Sequence, residues 1–419
     1  MVTLSQKQIQ RLRVIEKAVD GRLSVSEAAH LLQRSERQVQ RLMRRFQPDS
    51  VDWLVHGNAG RPKPWALSAE TRQQVLQLAQ TRYAGFNDSH LHQKLVEEEG
   101  FGFSRETLRR LLRKAGVASP QKRRPRLYRA RRPRRSCLGL MALTDASRHD
   151  WLEQRGPRLT LIGFQDDATS RVLAAHFQLE AENAAGYLRV LQQLVTRHGV
   201  PLSLYRDRHS IFQRNDPHWS VVEELAGQQF PTQVGRALDE LGIQQIPAHS
   251  PQAKGRIERL WRTFQDRLAS ELRLAQAATC EHANLVLDRF VEDFNRRFAV
   301  PPSQTENHFR RLPRGFDLQR CLSFRYQRTV APDHTIAFGS EQIQLPRARL
   351  GYASSIVELS HQLDGTLKIY RSEKLLLTLQ RPIQELAQPK PAIRTAAQKR
   401  KPKPAIYTYS GHPAIAATP

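Results

Sequence analysis

The sequence predicts a multidomain α/β protein: all-α modules at the N-terminus, an α/β core in the middle and a small β-barrel near the C-terminus. Three observations predict it. Up to residue 118, apolar residues recur at helical spacing behind Ser-led caps. Between residues 137 and 300, apolar runs come first as adjacent strands and then as strand–helix crossovers. Beyond Arg314 only short strand-like runs remain, separated by turn signals such as Asp364-Gly365.

Charge narrows the partners. The 419 residues carry 66 Lys and Arg against 40 Asp and Glu, a formal net charge of +26. Such an excess seeks a polyanion, and nucleic acid is the first candidate because neutralising phosphates releases condensed counterions. A membrane surface is the competing partner. No apolar run is long enough to span a bilayer, no segment near Met1 reads as a signal peptide, and no lipidation motif is evident. Cys137, Cys280 and Cys321 lie far apart without CxxC spacing. That argues against a disulfide scaffold or a Cys-based zinc site and leads us to expect a reducing cytoplasm.

The first module, residues 1–55, reads as three helices. Ile9, Leu12, Ile15 and Val19 mark the first, and Ser24 with Glu27 forms a capping box that opens the second. Ser35 with Gln38 opens the third, whose outward faces carry Arg37, Gln40, Arg41, Arg44 and Arg45. This is the pattern of a helix-turn-helix with a basic recognition helix, and Arg37, Arg41 and Arg44 are its candidate DNA contacts. After a Gly/Pro linker the theme repeats over residues 65–118. There Ser104 opens a helix that buries Leu108, Leu111 and Leu112 and exposes Arg105, Arg109, Arg113 and Lys114. Tandem helix-turn-helix units read a longer site than one; the plainer alternative is two small helical bundles with solvated arginine faces.

Residues 119–136 form a basic linker. From Lys122 to Arg135, nine of fourteen residues are Lys or Arg, with Pro125 and Pro133 interspersed. Such a run builds no core. It is read as an extended linker that would track a phosphate backbone or a minor groove, with Arg131 and Arg132 as candidate DNA contacts; the plainer alternative is a simple solvated linker. The α/β core spans 137–300, with strands expected at Leu138–Thr144, Leu159–Phe164, Arg171–Phe177, Leu202–Tyr205 and Ile243–Ile246. Helices are expected at Ala181–His198, before Gly242 and from about Gln252. The barrel is expected over 315–385. A tail at 386–419, rich in Lys, Pro and Ala, reads as disordered.

Three acids stand out in the core. Asp145 follows the first strand-like run and Asp207 the fourth. A lone Asp after a strand is usually a turn residue or a helix cap. On neighbouring strands about 4.8 Å apart, however, the two carboxylates would share one sheet edge, where α/β sheets bind ligands. Glu258 lies in the helical run Ser250-Pro251-Gln252-Ala253-Lys254-Gly255-Arg256-Ile257-Glu258-Arg259-Leu260-Trp261-Arg262, beside the apolar stripe Ile257, Leu260, Trp261, Phe264 and Leu268. Spacing alone equally allows a solvated charge paired with Arg262 at i+4.

These stretches resemble the retroviral-integrase-like transposases of bacterial insertion sequences, more specifically the ISNCY-like group. The likeness rests on L-T-D-A-S-R-H-D-W-L-E, D-D-A-T-S-R, Y-R-D-R-H-S-I-F, the Glu258 helix motif and R-T-V-A-P-D-H-T-I near the C-terminus. It covers nearly the whole chain except the tail. It implies an RNase H-like core with Asp145, Asp207 and Glu258 as a catalytic, metal-binding triad, and it leaves Asp166 and Asp167 in a hairpin turn outside that triad. It also implies two Mg²⁺ ions, with Mn²⁺ as substitute, and double-stranded DNA substrates, namely terminal inverted repeats and target DNA. Joining two ends further implies a dimer or larger synaptic homo-oligomer. Lys254, Arg256 and Arg259 are candidate phosphate contacts beside the acids. One departure is the 51-position interval from Asp207 to Glu258, with an insertion at 213–233. The competing functions are a catalytically silent DNA-binding regulator derived from a transposase, and an RNase H-type nuclease that cuts without joining.

Overall fold

The computed structural model describes residues 5–54, 66–120, 132–214, 219, 221–248, 255–347 and 351–383. The Gly/Pro linker, Arg131, Lys254, most of the basic linker and the C-terminal tail lie outside these residues. The chain divides into two compact units, Met1–Val75 and Leu76–Pro419.

In the first unit, α1 (Gln6–Val19), α2 (Val25–Leu32) and α3 (Glu36–Arg45) close around Val14, Ile15, Ala18, Ala28, Ala29 and Val39. Local chemistry sets the turn between α2 and α3. Ser24 and Ser35 each form a capping box, and Gln33 takes the left-handed conformation that ends α2. Ile9 and Val19, expected on the buried stripe, are instead 38% and 43% exposed, because α1 turns Val14 and Ala18 inward beside Ile15.

The boundary between the units falls inside α4 (Ala69–Gln80). Beyond it, α5 (Asp88–Glu97) and α6 (Arg105–Lys114) precede the core. The core sheet has five strands: β1 (Ala142–His149), β2 (Leu159–Asp166), β3 (Val172–Gln178), β4 (Ser203–Arg206) and β5 (Gln244–Pro247), in the order β3-β2-β1-β4-β5. The first three pair antiparallel, and β4 and β5 add in parallel through helical crossovers. On one face α7 (Ala184–His198) and α9 (Gln233–Glu240) bury an apolar cluster; on the other, α10 (Gly255–Leu274) and α11 (Cys280–Phe298) bury a second. A short helix α8 (Val221–Ala226) lies in the expected insertion.

The first strand begins later than expected. Gly139 has φ +81°, and a Cβ there would lie 2.6 Å from the Phe309 backbone nitrogen. The segment before Met141 is thus committed to the crossing chain at 307–310, and Asp145 falls in the middle of β1 rather than at its end.

After the short helix α12 (Leu318–Cys321), the C-terminal strands are β6 (Phe324–Thr329), β7 (Thr335–Phe338), β8 (Glu341–Gln344), β9 (Ile356–His361), β10 (Thr366–Arg371) and β11 (Lys374–Gln380). Among the described residues they form a four-stranded antiparallel sheet, β11-β10-β9-β6, and a separate β7-β8 hairpin. This region shares a core with α7 and α9. Phe324, Leu359 and Ile369 belong to the same apolar cluster as Leu191 and Leu238, while Arg236 donates to the carbonyls of Cys321 and Ser323. No helix among the described residues is long and apolar enough to cross a membrane.

Candidate active site

The parallel pairing of β1 with β4 sets Leu143 beside Tyr205. Two positions beyond that pair stand Asp145, within β1, and Asp207, the residue that follows the end of β4. Both are half-buried. Asp207 ends its strand by accepting the His209 backbone N–H at 3.0 Å.

Helix α10 lies over this face. Gly163, the cross-strand partner of Asp145, makes room for it, since a Cβ there would stand 2.8 Å from the Trp261 ring. The indole Nε1 then donates to Asp145 Oδ2 at 3.2 Å, and one turn later Gln265 donates to Ser147 Oγ at 3.1 Å. Glu258 sits one turn before Trp261 on the same side, exposed in the first turn of the helix. Among the described residues no ion pair joins it to Arg262. The ligand oxygens of the three acids do not all lie within 4.8 Å of one another.

A feature of the site not anticipated from the sequence is Tyr187 on α7. Its buried hydroxyl donates to Glu182 at 2.5 Å. Burial, followed by the negative charges of Glu182, Asp145 and Asp207, pushes this phenol well above its ordinary pKa. Asp145, Asp207 and Glu258 offer only hard oxygen donors, a set that fits Mg²⁺ or Mn²⁺ and disfavours softer metals. The sequence signal for Tyr187 was slight: one hydroxyl on an otherwise apolar helix face.

The tandem aspartates of the β2–β3 turn are both fully buried. Asp166 accepts from the Gly139 N–H and from the backbone and hydroxyl of Thr169; burial nonetheless raises its pKa. Asp167 accepts from Arg132, Arg256 and the Arg135 backbone N–H. Arg132 and Arg256, singled out as DNA contacts, are thus turned inward. The end of the basic run is folded onto the core rather than extended, with Arg134 donating to the carbonyls of Asp167 and Ala168.

The remaining basic candidates divide sharply. Arg37, Arg41 and Arg44 on α3, and Arg259 on α10, are exposed. Among the described residues none of them makes an ion pair. On α6, by contrast, Arg105 donates to Ser89 Oγ at 3.1 Å, Arg109 pairs with Glu106 at 2.8 Å, and Arg113 holds Asp88 and the Val117 carbonyl. Lys114 is exposed. Among the described residues, one cluster has the types and spacing to hold a metal: Cys137, Glu306 and His308. It is distinct from the three acids, and its thiol is engaged with Gln304 at 3.3 Å.

Helix α5 packs against α10 through polar side chains. His90, 2% exposed, bonds Glu271 at 2.7 Å, and Lys94 reaches the other oxygen of the same carboxylate at 2.9 Å. Asn87 donates to Asp266, and Arg267 to Gln93. The second helical module is therefore fastened to the helix that carries Glu258.

A family model described as winged helix-turn helix matches residues 11–73, which takes in most of α1, all of α2 and α3, and the start of α4. Over 372 residues the chain is 35% identical to y4bF of Sinorhizobium fredii (strain NBRC 101917 / NGR234), named as a transposase; the match covers 88% of this chain and 80% of that one. It is 29% identical over 360 residues to the transposase for insertion sequence IS1202 of Streptococcus pneumoniae, covering 78% of this chain and 75% of the relative. Among solved structures, a simian T-cell lymphotropic virus intasome aligns at 14% identity with a TM-score of 0.31, over 74% of this chain and 100% of that chain.

Proposed function

The chain belongs to the family of bacterial insertion-sequence transposases, and from that premise we propose that it cleaves and joins DNA at the ends of its element through Asp145, Asp207 and Glu258. The observation that carries this reading is the parallel pairing of β1 with β4, which brings Asp145 and Asp207 each two positions beyond the Leu143–Tyr205 pair, with the helix that bears Glu258 bonded to Asp145 through Trp261. The strand order β3-β2-β1-β4-β5 supports an RNase H-like core around them. The C-terminal strands are read as a small barrel-like module.

The three carboxylates would hold the divalent ions. What bound Mg²⁺, or Mn²⁺ in its place, supplies there is activation of the attacking oxygen and stabilisation of the leaving oxygen in an in-line phosphodiester displacement. Trp261 holds one oxygen of Asp145 by its indole N–H. The attacking group is water in the cleavage step and the freed 3′-OH in the joining step, so no covalent enzyme intermediate is required. Helix α3 would read the terminal inverted repeats through Arg37, Arg41 and Arg44. Arg259 would contact phosphate near the acids. Two ends joined in one event call for a dimer or larger synaptic assembly on double-stranded DNA.

The test is strand transfer with end DNA and Mg²⁺, comparing wild type with Glu258→Gln. Joined product from wild type alone, with end binding equal in both, is the expected outcome. End binding without cleavage or joining by either protein would turn the reading to a silent DNA-binding regulator. Cleavage without joining would turn it to a nuclease.

A further inference from the structure

We propose that Asp167 is a positioning residue that sets Glu258 through Arg256; the inference rests on the triad reading above. Asp167 is fully buried at the β2–β3 turn, where an unpaired carboxylate would be unstable. Both of its oxygens are taken. Arg256 and Arg132 donate to Oδ1, and Arg132 at 3.2 Å and the Arg135 N–H at 2.8 Å donate to Oδ2. The second arm of Arg256 donates to the backbone carbonyl of Arg132. Guanidinium geometry makes this a directional clamp rather than a diffuse attraction.

Its place on α10 gives the clamp a consequence. Arg256 lies in the first turn of the helix, two residues before Glu258. The polar contacts that tie α10 to β1, Trp261 to Asp145 and Gln265 to Ser147, both come after Glu258. Glu258 is therefore held between two anchors, and Arg256–Asp167 is the N-terminal one. First turns of helices fray when nothing holds them. Without the clamp, Glu258 would sit on a loose turn while the other two acids kept their places on the sheet. Arg132 and Arg135 stand near the end of the basic segment, so the same buried carboxylate also ties that segment to the turn bearing the third acid.

The experiment uses the full chain as wild type, Asp167→Asn, Arg256→Gln, Arg256→Lys and Glu258→Gln. Mn²⁺ affinity is read from the electron paramagnetic resonance signal of the free ion, and cleavage of end DNA is followed against Mg²⁺ concentration. Asp167→Asn and Arg256→Gln are expected to weaken Mn²⁺ binding and raise the half-saturating Mg²⁺ by about 10- to 100-fold, as loss of an outer-shell partner does. End binding should stay unchanged, and Arg256→Lys should recover part of the metal affinity. If Asp167→Asn fails to fold, Arg256→Gln and Arg256→Lys decide the matter alone. Wild-type metal affinity in the Arg256 variants, with Glu258→Gln weakened, overturns the positioning role and leaves the triad standing. Wild-type affinity in Glu258→Gln overturns the triad itself.

Discussion

Helices α3 and α6 look alike in sequence and behave differently in the fold. Each is opened by a serine cap and each is rich in arginine. On α3 the arginines 37, 41 and 44 are exposed, and their module closes on its own apolar side chains. On α6 three of the four basic candidates are bound within the protein, and the neighbouring α5 presents a buried histidine and a lysine to Glu271 of α10. A basic helix is a DNA-reading helix only where its cations are left for the DNA. An arginine already bonded to a carboxylate gains little by exchanging that partner for a phosphate.

The largest effect that sharpens this contrast should come from α3. Replacing Arg37, Arg41 and Arg44 together by Ala should weaken end binding by about 100-fold or more, at roughly 1–3 kcal/mol for each base-reading arginine. The salt slope should drop by about one for each phosphate contact removed. Fluorescence anisotropy across a salt series measures both. Unchanged affinity would place end recognition elsewhere.

Next comes the fastening of α5 to α10. Glu271→Ala removes the carboxylate shared by His90 and Lys94 and should cost about 2 kcal/mol in chemical denaturation of the second unit, below the loss of a fully buried pair because Glu271 is 21% exposed and Lys94 keeps Glu98 at 2.7 Å. The same contact should weaken in acid. Burial lowers the pKa of His90. Burial works to raise Glu271, but hydrogen bonds from His90 and Lys94 hold it below its ordinary value. The unfolded chain therefore takes up these protons first. The contribution is complete above the ordinary histidine pKa of about 6.5 and fades as pH falls, through His90 and then Glu271. Melting temperatures from pH 7.5 down to 5 should fall less in His90→Gln than in wild type. An equal fall in both would remove His90 from the account.

A smaller effect is expected from the cap. Ser35→Ala removes the oxygen that accepts the Gln38 N–H at 3.3 Å and should cost about 1 kcal/mol in the first unit, seen as a lower melting temperature. The smallest belongs to α6. Arg109→Ala should leave end affinity within about twofold, since Glu106, bonded to its guanidinium at 2.8 Å, already offsets its charge. A loss as large as that from α3 would erase the contrast between the two helices.

How far the sequence could be read follows the range of the forces involved. Serine caps, strand periodicity and turn residues act over a few positions, so the helices of the first module and the hairpin meander lie within a few residues of where the sequence puts them. The net charge and the spacing of Asp145, Asp207 and Glu258 were likewise open to view. What local pattern could not supply was pairing across the chain. Nothing near Arg256 indicates that it meets Asp167, 89 residues earlier, or that β1 pairs with β2 as far as His149 and so holds Asp145 in mid-strand. Nor does anything near Glu182 and Tyr187 place them beside the acids of β1 and β4. Most of the elements, the excess of positive charge and the candidate acids were thus legible in the residues alone. Folding fixed which of those cations are engaged within the protein and which stay exposed, because a long side chain's partner is set by what packing brings within about 3 Å of its tip.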